Sequence, residues 1–225
     1  MTPRFTDTLA KASAHSAAQL KKKPAPARRK PGEPGLFTRM ERLYNAMEQA
    51  YDACAAKAGL SCAGCETNCC TSFFKHHTYV EWAYLWRGLH ALEAARRDHI
   101  IERAGQYLAD ARASIAKNLR PSAMCPLNEE GRCILYSHRL MICRMHGTRN
   151  VFTLPDGTQQ AFPGCVRFTA LPCATGANAC PSLDRTAYYK ELAELEMQFL
   201  KKAGRPLPRV DITIAEMIVS GPPKL

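Results

Sequence analysis

The sequence predicts a mainly α-helical protein with cysteine-rich metal-binding loops between the helices and one small β-hairpin. Three observations carry that expectation. Apolar residues recur at helical spacing through several segments of the 225-residue chain. Most of the eleven cysteines fall in the non-periodic stretches between those segments. One stretch, "RNVFTLPDGTQQAF", partly alternates apolar and polar residues around a Pro155-Asp156-Gly157 turn.

Each element has its own warrant. Phe37, Met40, Leu43, Tyr44, Met47, Tyr51 and Cys54 mark a helix over residues 37–58, with Gly59 as its stop. Thr78-Tyr-Val-Glu81 is a capping-box pattern that opens a second helix, with Val80, Ala83, Trp86 and Leu89 toward the core. Ile101, Ala104, Leu108, Ala111, Ile115 and Leu119 mark a third, ended by Pro121. Residues 121–135 read as a loop and the hairpin follows. A last long helix is expected from about Ser182 to Ala203. Its stripe is Leu183, Ala187, Tyr188, Leu192, Leu195 and Phe199, and Gly204 and Pro206 end it. A short helical segment over Asp211–Val219 closes the domain.

Charge is uneven along the chain. Residues 1–36 hold eight basic and two acidic side chains, a balance of +6 out of a net +11. "KKKPAPARRKPGEPG" within them is basic, rich in proline and free of large apolar residues, so residues 1–36 read as a disordered tail and 37–225 as one domain. The tail suits an acidic partner or nucleic acid, or simple solubility. No apolar run approaches the length of a membrane span, and the N-terminus lacks the apolar core of a secretory signal. The expected location is the cytoplasm, without a membrane partner.

A reducing compartment disfavours a disulfide framework and directs attention to metal or redox chemistry. "CAGCETNCC" places Cys62, Cys65, Cys69 and Cys70 within nine residues. If the stretch turns helically, Cys62, Cys65 and Cys69 share an arc of about 60°, and Cys70 points about 100° away from Cys69. Three thiols would then share one metal while the fourth reaches elsewhere. Cys125, Cys133, Cys143 and Cys165 form a second group, in turn-forming contexts such as Cys125-Pro126 and Gly131-Arg132-Cys133. Eight soft sulfur donors suit zinc or an iron–sulfur cluster without separating them. Arg139 and Arg144 flank Cys143 and would offset thiolate charge at a cofactor. Cys54 reads as a small core residue, and Cys173 and Cys180 as structural or spare thiols. His76, His77 and His146 stand near cysteines in sequence and are candidate extra ligands.

These residues resemble the YkgJ-like cysteine-cluster family, described as a zinc- or iron-chelating domain with eight characteristic cysteines. The resemblance spans about residues 62–165. Its most specific part is "CPLNEEGRCILYSHRLMICR", carrying Cys125-Pro126-Leu127, Gly131-Arg132-Cys133-Ile134, Tyr136, Arg139 and Cys143-Arg144 in the family's order. Two departures stand out. Three residues, Glu66-Thr67-Asn68, separate Cys65 from the cysteine pair where the family has two, and Arg139-Leu140 replaces its Arg-Pro. The resemblance implies chelation and names no reaction.

Three functions follow as expectations. The first is a metal-binding protein holding an iron–sulfur cluster or zinc through both cysteine groups. The second is an iron–sulfur oxidoreductase or metal-dependent transferase, with His146, Tyr136 and Arg139 beside the metal. Against it, the sequence has no Gly-rich nucleotide loop and no paired carboxylates at a suggestive spacing. The third is a zinc-stabilised nucleic-acid or protein adaptor using the basic tail.

Overall fold

A computed structural model describes residues 34–63, 65, 69–175 and 180–225, and Pro34–Leu225 form one compact unit. Residues 1–33, and with them most of the expected tail, lie outside the described residues. So do Gly64 and Glu66-Thr67-Asn68 of the first cysteine stretch.

Helix α1 spans Leu36–Ala58 and ends where Gly59 turns left-handed at φ 72°, as its sequence predicts. Cys69–Thr71 make a single 3-10 turn. Helix α2, Tyr79–His90, follows the predicted capping pattern, but the cap is different. Thr78 Oγ1 donates to the Glu81 carboxylate at 2.8 Å rather than accepting from the helix. The free N–H groups of Tyr79 and Val80 go to the Glu196 carboxylate at 3.0 and 2.8 Å, a cap supplied from a distant element.

Helix α3 runs Ala94–Ala116, separated from α2 by Ala91-Leu92-Glu93. It stops short of the predicted end at Pro121. Its buried stripe is Ile100, Ala104, Tyr107 and Ala111, so the predicted stripe is rotated by about one residue. Ile115 and Leu119 are 53% and 61% exposed. Ile100 and Ile101 are equally apolar, so composition alone does not choose which faces inward.

The loop after α3 contains a small hairpin absent from the prediction, β1 (Asn128–Glu129) against β2 (Arg132–Cys133). Glu130 and Gly131 take positive φ, 49° and 81°, the conformation of a two-residue hairpin turn. Helix α4 is short, Met141–Met145. The predicted hairpin forms as β3 (Asn150–Thr153) against β4 (Gln159–Phe162), closed around Gly157. Helices α5 (Val166–Thr169) and α6 (Pro172–Thr175) follow.

The expected helix from Ser182 begins later. Leu183–Asp184 form β5, parallel to β3, giving a sheet of order β4-β3-β5. Helix α7 starts at Thr186 and ends at Leu200. Asp184 closes the strand by accepting from the Thr186 N–H at 2.8 Å. Helix α8, Ile214–Val219, opens with a true capping box between Thr213 and Glu216.

The architecture is therefore mainly α with a small sheet. Of three apolar clusters, the two larger meet at α2. One packs α2, α3 and α8 around Leu85, Leu89, Ile100 and Met217. The other packs α1, α2, α4 and α7 around Met40, Tyr44, Tyr84 and Leu195. Among the described residues no helix is long and apolar enough to cross a membrane.

Candidate thiol site

The second cysteine block is anchored from three sides. Arg96 and Arg103 on α3 pair with Glu129 at 2.6 and 3.7 Å, which fastens the β1–β2 hairpin carrying Cys133. The Cys125 N–H donates to the Cys70 carbonyl at 2.9 Å, joining the two blocks by backbone. Leu140 and Met141 are buried and start α4, which presents Cys143. The buried carboxylate of Glu81 accepts from the Met141 N–H at 2.7 Å and the Tyr44 hydroxyl at 2.9 Å, so α1 and α2 jointly fix where α4 begins.

Arg144 locks the loop before α4. Its guanidinium donates to the carbonyls of Arg139 at 2.8 Å and Ser137 at 2.7 Å, pairs with Glu48 at 3.1 Å, and lies over the Tyr44 ring. Arg139 stacks on Tyr136 with 3.6 Å from its guanidinium carbon to the ring centre, and meets Glu48 at 3.7 Å. Its Nε is buried without a hydrogen-bond partner among the described residues.

These supports bring four thiols from four chain segments within electrostatic reach of one another. Burial pushes the Cys143 thiol well above its ordinary pKa, and Cys125, Cys133 and Cys70 add to the rise while Arg139 opposes it. Burial likewise takes Cys125 up to about 12, with Cys70 and Cys133 adding. Cys133 is raised by burial and by Cys70, against the charges of Arg139 and Arg144. Cys70 moves the other way. A hydrogen bond from Cys69, the Asn128 amide and the Arg139 charge favour its thiolate, and burial opposes them. Cys70 thus acts on the other three, Cys133 on Cys125 and Cys143, and Cys125 on Cys143.

Of the remaining predicted thiols, Cys62, Cys69 and Cys165 act on Tyr51. The Cys62 sulfur is 4.0 Å from the Tyr51 hydroxyl. Burial first, then Cys62, Cys165 and Cys69, raises the Tyr51 pKa. Cys69 is raised chiefly by its hydrogen bond to Cys70, then by burial and by Cys70, Cys143 and Cys62. The expected divergence of the adjacent pair is not found: the Cys69 and Cys70 thiols hydrogen-bond to each other, and Cys70 also meets the Asn128 amide. Nor is the expected helical turn over Cys62–Cys70: among the described residues only Cys69–Thr71 turn helically, as 3-10. The Cys65 N–H closes a turn onto the Cys62 carbonyl at 3.3 Å.

Other sequence candidates fall elsewhere. Cys54 is buried in the core, as expected. Cys173 and Cys180 form a disulfide, Cα atoms 4.9 Å apart, packed with Ala58 and Phe168. The compartment argument did not foresee this bond. His146 sits edge-on to Phe74, and burial, Arg185 and Arg120 hold its pKa low, with no thiol among these influences. His76 is buried in the bridge to Ile212 with neither ring nitrogen partnered among the described residues. Sequence reasoning missed Glu48, Glu81 and Tyr51, all on amphipathic helices where nothing distinguishes a supporting residue from an ordinary one.

As placed, no three His, Cys, Asp or Glu side chains among the described residues stand close enough to hold a metal ion. Four thiols within electrostatic reach, a flanking arginine with a buried unpartnered Nε and a turn from Cys125 to Asn128 are of a chemistry that thiophilic metals take. No family model, no curated protein and no solved structure matches the chain.

Proposed function

We propose that this chain is a metal-binding protein that holds an iron–sulfur cluster or zinc through thiolates of both cysteine blocks. The observation that supports the reading is the 2.9 Å backbone hydrogen bond from Cys125 to the Cys70 carbonyl, which joins the two cysteine blocks, together with the influence of Cys70 on Cys125, Cys133 and Cys143, thiols up to 73 positions away. Burial raises three of these thiols, a cost that a metal removes by taking the thiolate as its ligand. Ligation draws the sulfurs inward from their present positions. Arg139 supplies charge to a centre that would otherwise be anionic, and Arg144 holds the loop from which Arg139 projects. The reading accords with the resemblance to the YkgJ-like pattern, whose second block supplies three of the four residues.

The test is anaerobic purification with elemental analysis and a visible spectrum on one sample. Iron with acid-labile sulfide and a brown colour identifies a cluster, whereas colourless protein with stoichiometric zinc identifies a zinc site. Cys133→Ala and Cys143→Ala each lower metal content. Full occupancy in both variants would sink the reading.

A further inference from the structure

We infer that the β4-β3-β5 sheet carries an anion site, in which Arg185 and Arg149 receive the phosphate group of a small ligand beside Phe162. None of the thiols discussed above takes part in it.

Arg185 is a buried cation without an acid. It is 7% exposed, and its Nε is buried with no hydrogen-bond partner among the described residues. Arg144, the other buried arginine, and its neighbour Arg139 both pair with Glu48. Among the described residues no acid pairs with Arg185. The adjacent Asp184 gives its carboxylate to the N–H and the hydroxyl of Thr186. Burial pulls the Arg185 pKa down, and Tyr189 alone acts the other way. A charge taken out of water without a counter-charge is costly, and an arriving anion offsets that cost. The position is fixed by the sheet, because the Arg185 N–H donates to the Val151 carbonyl of β3 at 2.8 Å. Two aromatic rings hold the guanidinium, whose carbon lies 4.9 Å from the centre of Phe162 and 5.4 Å from that of Tyr189. The rings offset part of the cost but offer no hydrogen-bond acceptor.

Phe162 gives the ligand its way in. It is 41% exposed, so the ring over which Arg185 lies itself reaches solvent. The same residue borders an open cleft of about 510 Å³, lined also by Arg149, Val151, Ala161, Pro163 and Ser182. Arg149 likewise pairs with no acid among the described residues, and Ser182 adds a hydroxyl. Arg120 strengthens the positive field, since after burial Arg185 and Arg120 together hold the His146 pKa down. Two unpaired arginines match the nearly double charge of a phosphate monoester better than the single charge of a carboxylate. The apolar wall of Val151, Ala161, Phe162 and Pro163 favours an ester with a flat apolar group over bare phosphate.

The experiment titrates the full-length chain, as purified, with inorganic phosphate and with phenyl phosphate, against potassium chloride at equal ionic strength. Amide shifts in two-dimensional NMR and the melting temperature are the readouts. Saturable shifts centred on residues 149–151, 161–162 and 182–185 are expected, with a Tm that climbs along the same curve. Tighter binding of phenyl phosphate assigns an ester and equal binding a free anion, and both support the site. Arg149→Gln is expected to weaken binding about tenfold and to leave the Tm in chloride unchanged. Arg185→Met is expected to abolish binding and to melt no lower than the wild type in chloride, because it removes a buried unpaired charge. The absence of saturable shifts in the wild type overturns the inference, as does undiminished binding by Arg149→Gln. Binding that survives in folded Arg185→Met, with a lower Tm in chloride, also overturns it and makes the arginine a packing residue between two rings.

Discussion

Glu81 is the most informative residue to perturb for stability. It is 4% exposed, and its carboxylate collects the Tyr44 hydroxyl at 2.9 Å, the Met141 N–H at 2.7 Å and the Thr78 hydroxyl at 2.8 Å. Tyr44 and Met141 are themselves buried, so Glu81→Ala leaves two donors without water or partner. Each orphaned donor costs about 1–3 kcal/mol, for a loss of about 3–5 kcal/mol. Tyr44→Phe alone removes one bond to a charged acceptor and costs about 1.5–2 kcal/mol. In the Glu81→Ala background the same change removes an orphan, so it is neutral or gains about 1 kcal/mol. The cycle therefore predicts a coupling energy of about 2–3 kcal/mol. Urea unfolding of the four proteins measures it. Additivity within about 0.5 kcal/mol would refute the reasoning, because independent sites behave that way.

Other outcomes follow from the same geometry. Burial, with a smaller contribution from His77, holds His76 down to about 3 from an ordinary 6.5. The unfolded chain then binds more protons between those values, so stability is full above about pH 6.5 and falls as the pH drops toward 3. By pH 5 the loss is about 2 kcal/mol, and in His76→Phe the urea midpoint should lose that acid dependence. Gly88 faces His138, and an added Cβ would lie 2.7 Å from the ring. Overpacking of about 1–3 kcal/mol should outweigh the helical gain of about 1 kcal/mol, so a rise in Tm for Gly88→Ala would contradict the packing. The Cys173–Cys180 bond spans a sequence separation of seven, for which the chain-entropy model gives about 2.5 kcal/mol. Replacing both residues by alanine should lower stability by about that amount in denaturant.

Much of the fold is legible where local signals act alone. Gly59 ends α1, and Pro155-Asp156-Gly157 turns the β3–β4 hairpin, because both depend on backbone conformations that few residues accept. The errors lie where a distant partner decides. Leu183 and Asp184 look like a first helical turn, yet β3 offers them a strand partner. Thr78 and Glu81 look like a capping box, yet Glu196 caps the helix and Glu81 turns to Tyr44 and Met141. The candidate site follows the same division. Cysteine spacing singles out the candidate thiols, but it expects Cys69 and Cys70 to diverge, whereas they hydrogen-bond to each other. Which thiol meets which depends on long-range contacts such as Cys125 to Cys70 and Cys165 to Gly147, and these leave no mark on the sequence around them.

The wide separation of Cys70, Cys125, Cys133 and Cys143 also orders events during synthesis. Cys70 precedes Cys143 by 73 residues. At about 5–20 residues per second, Cys70 is made about 4–15 s before Cys143. For most of that interval four closely spaced thiols face solution without Arg139 or the β1–β2 hairpin. A growing chain is therefore most vulnerable to thiol mispairing and oxidation before its second block arrives, and the speed of the ribosome becomes part of how faithfully its thiols reach their places.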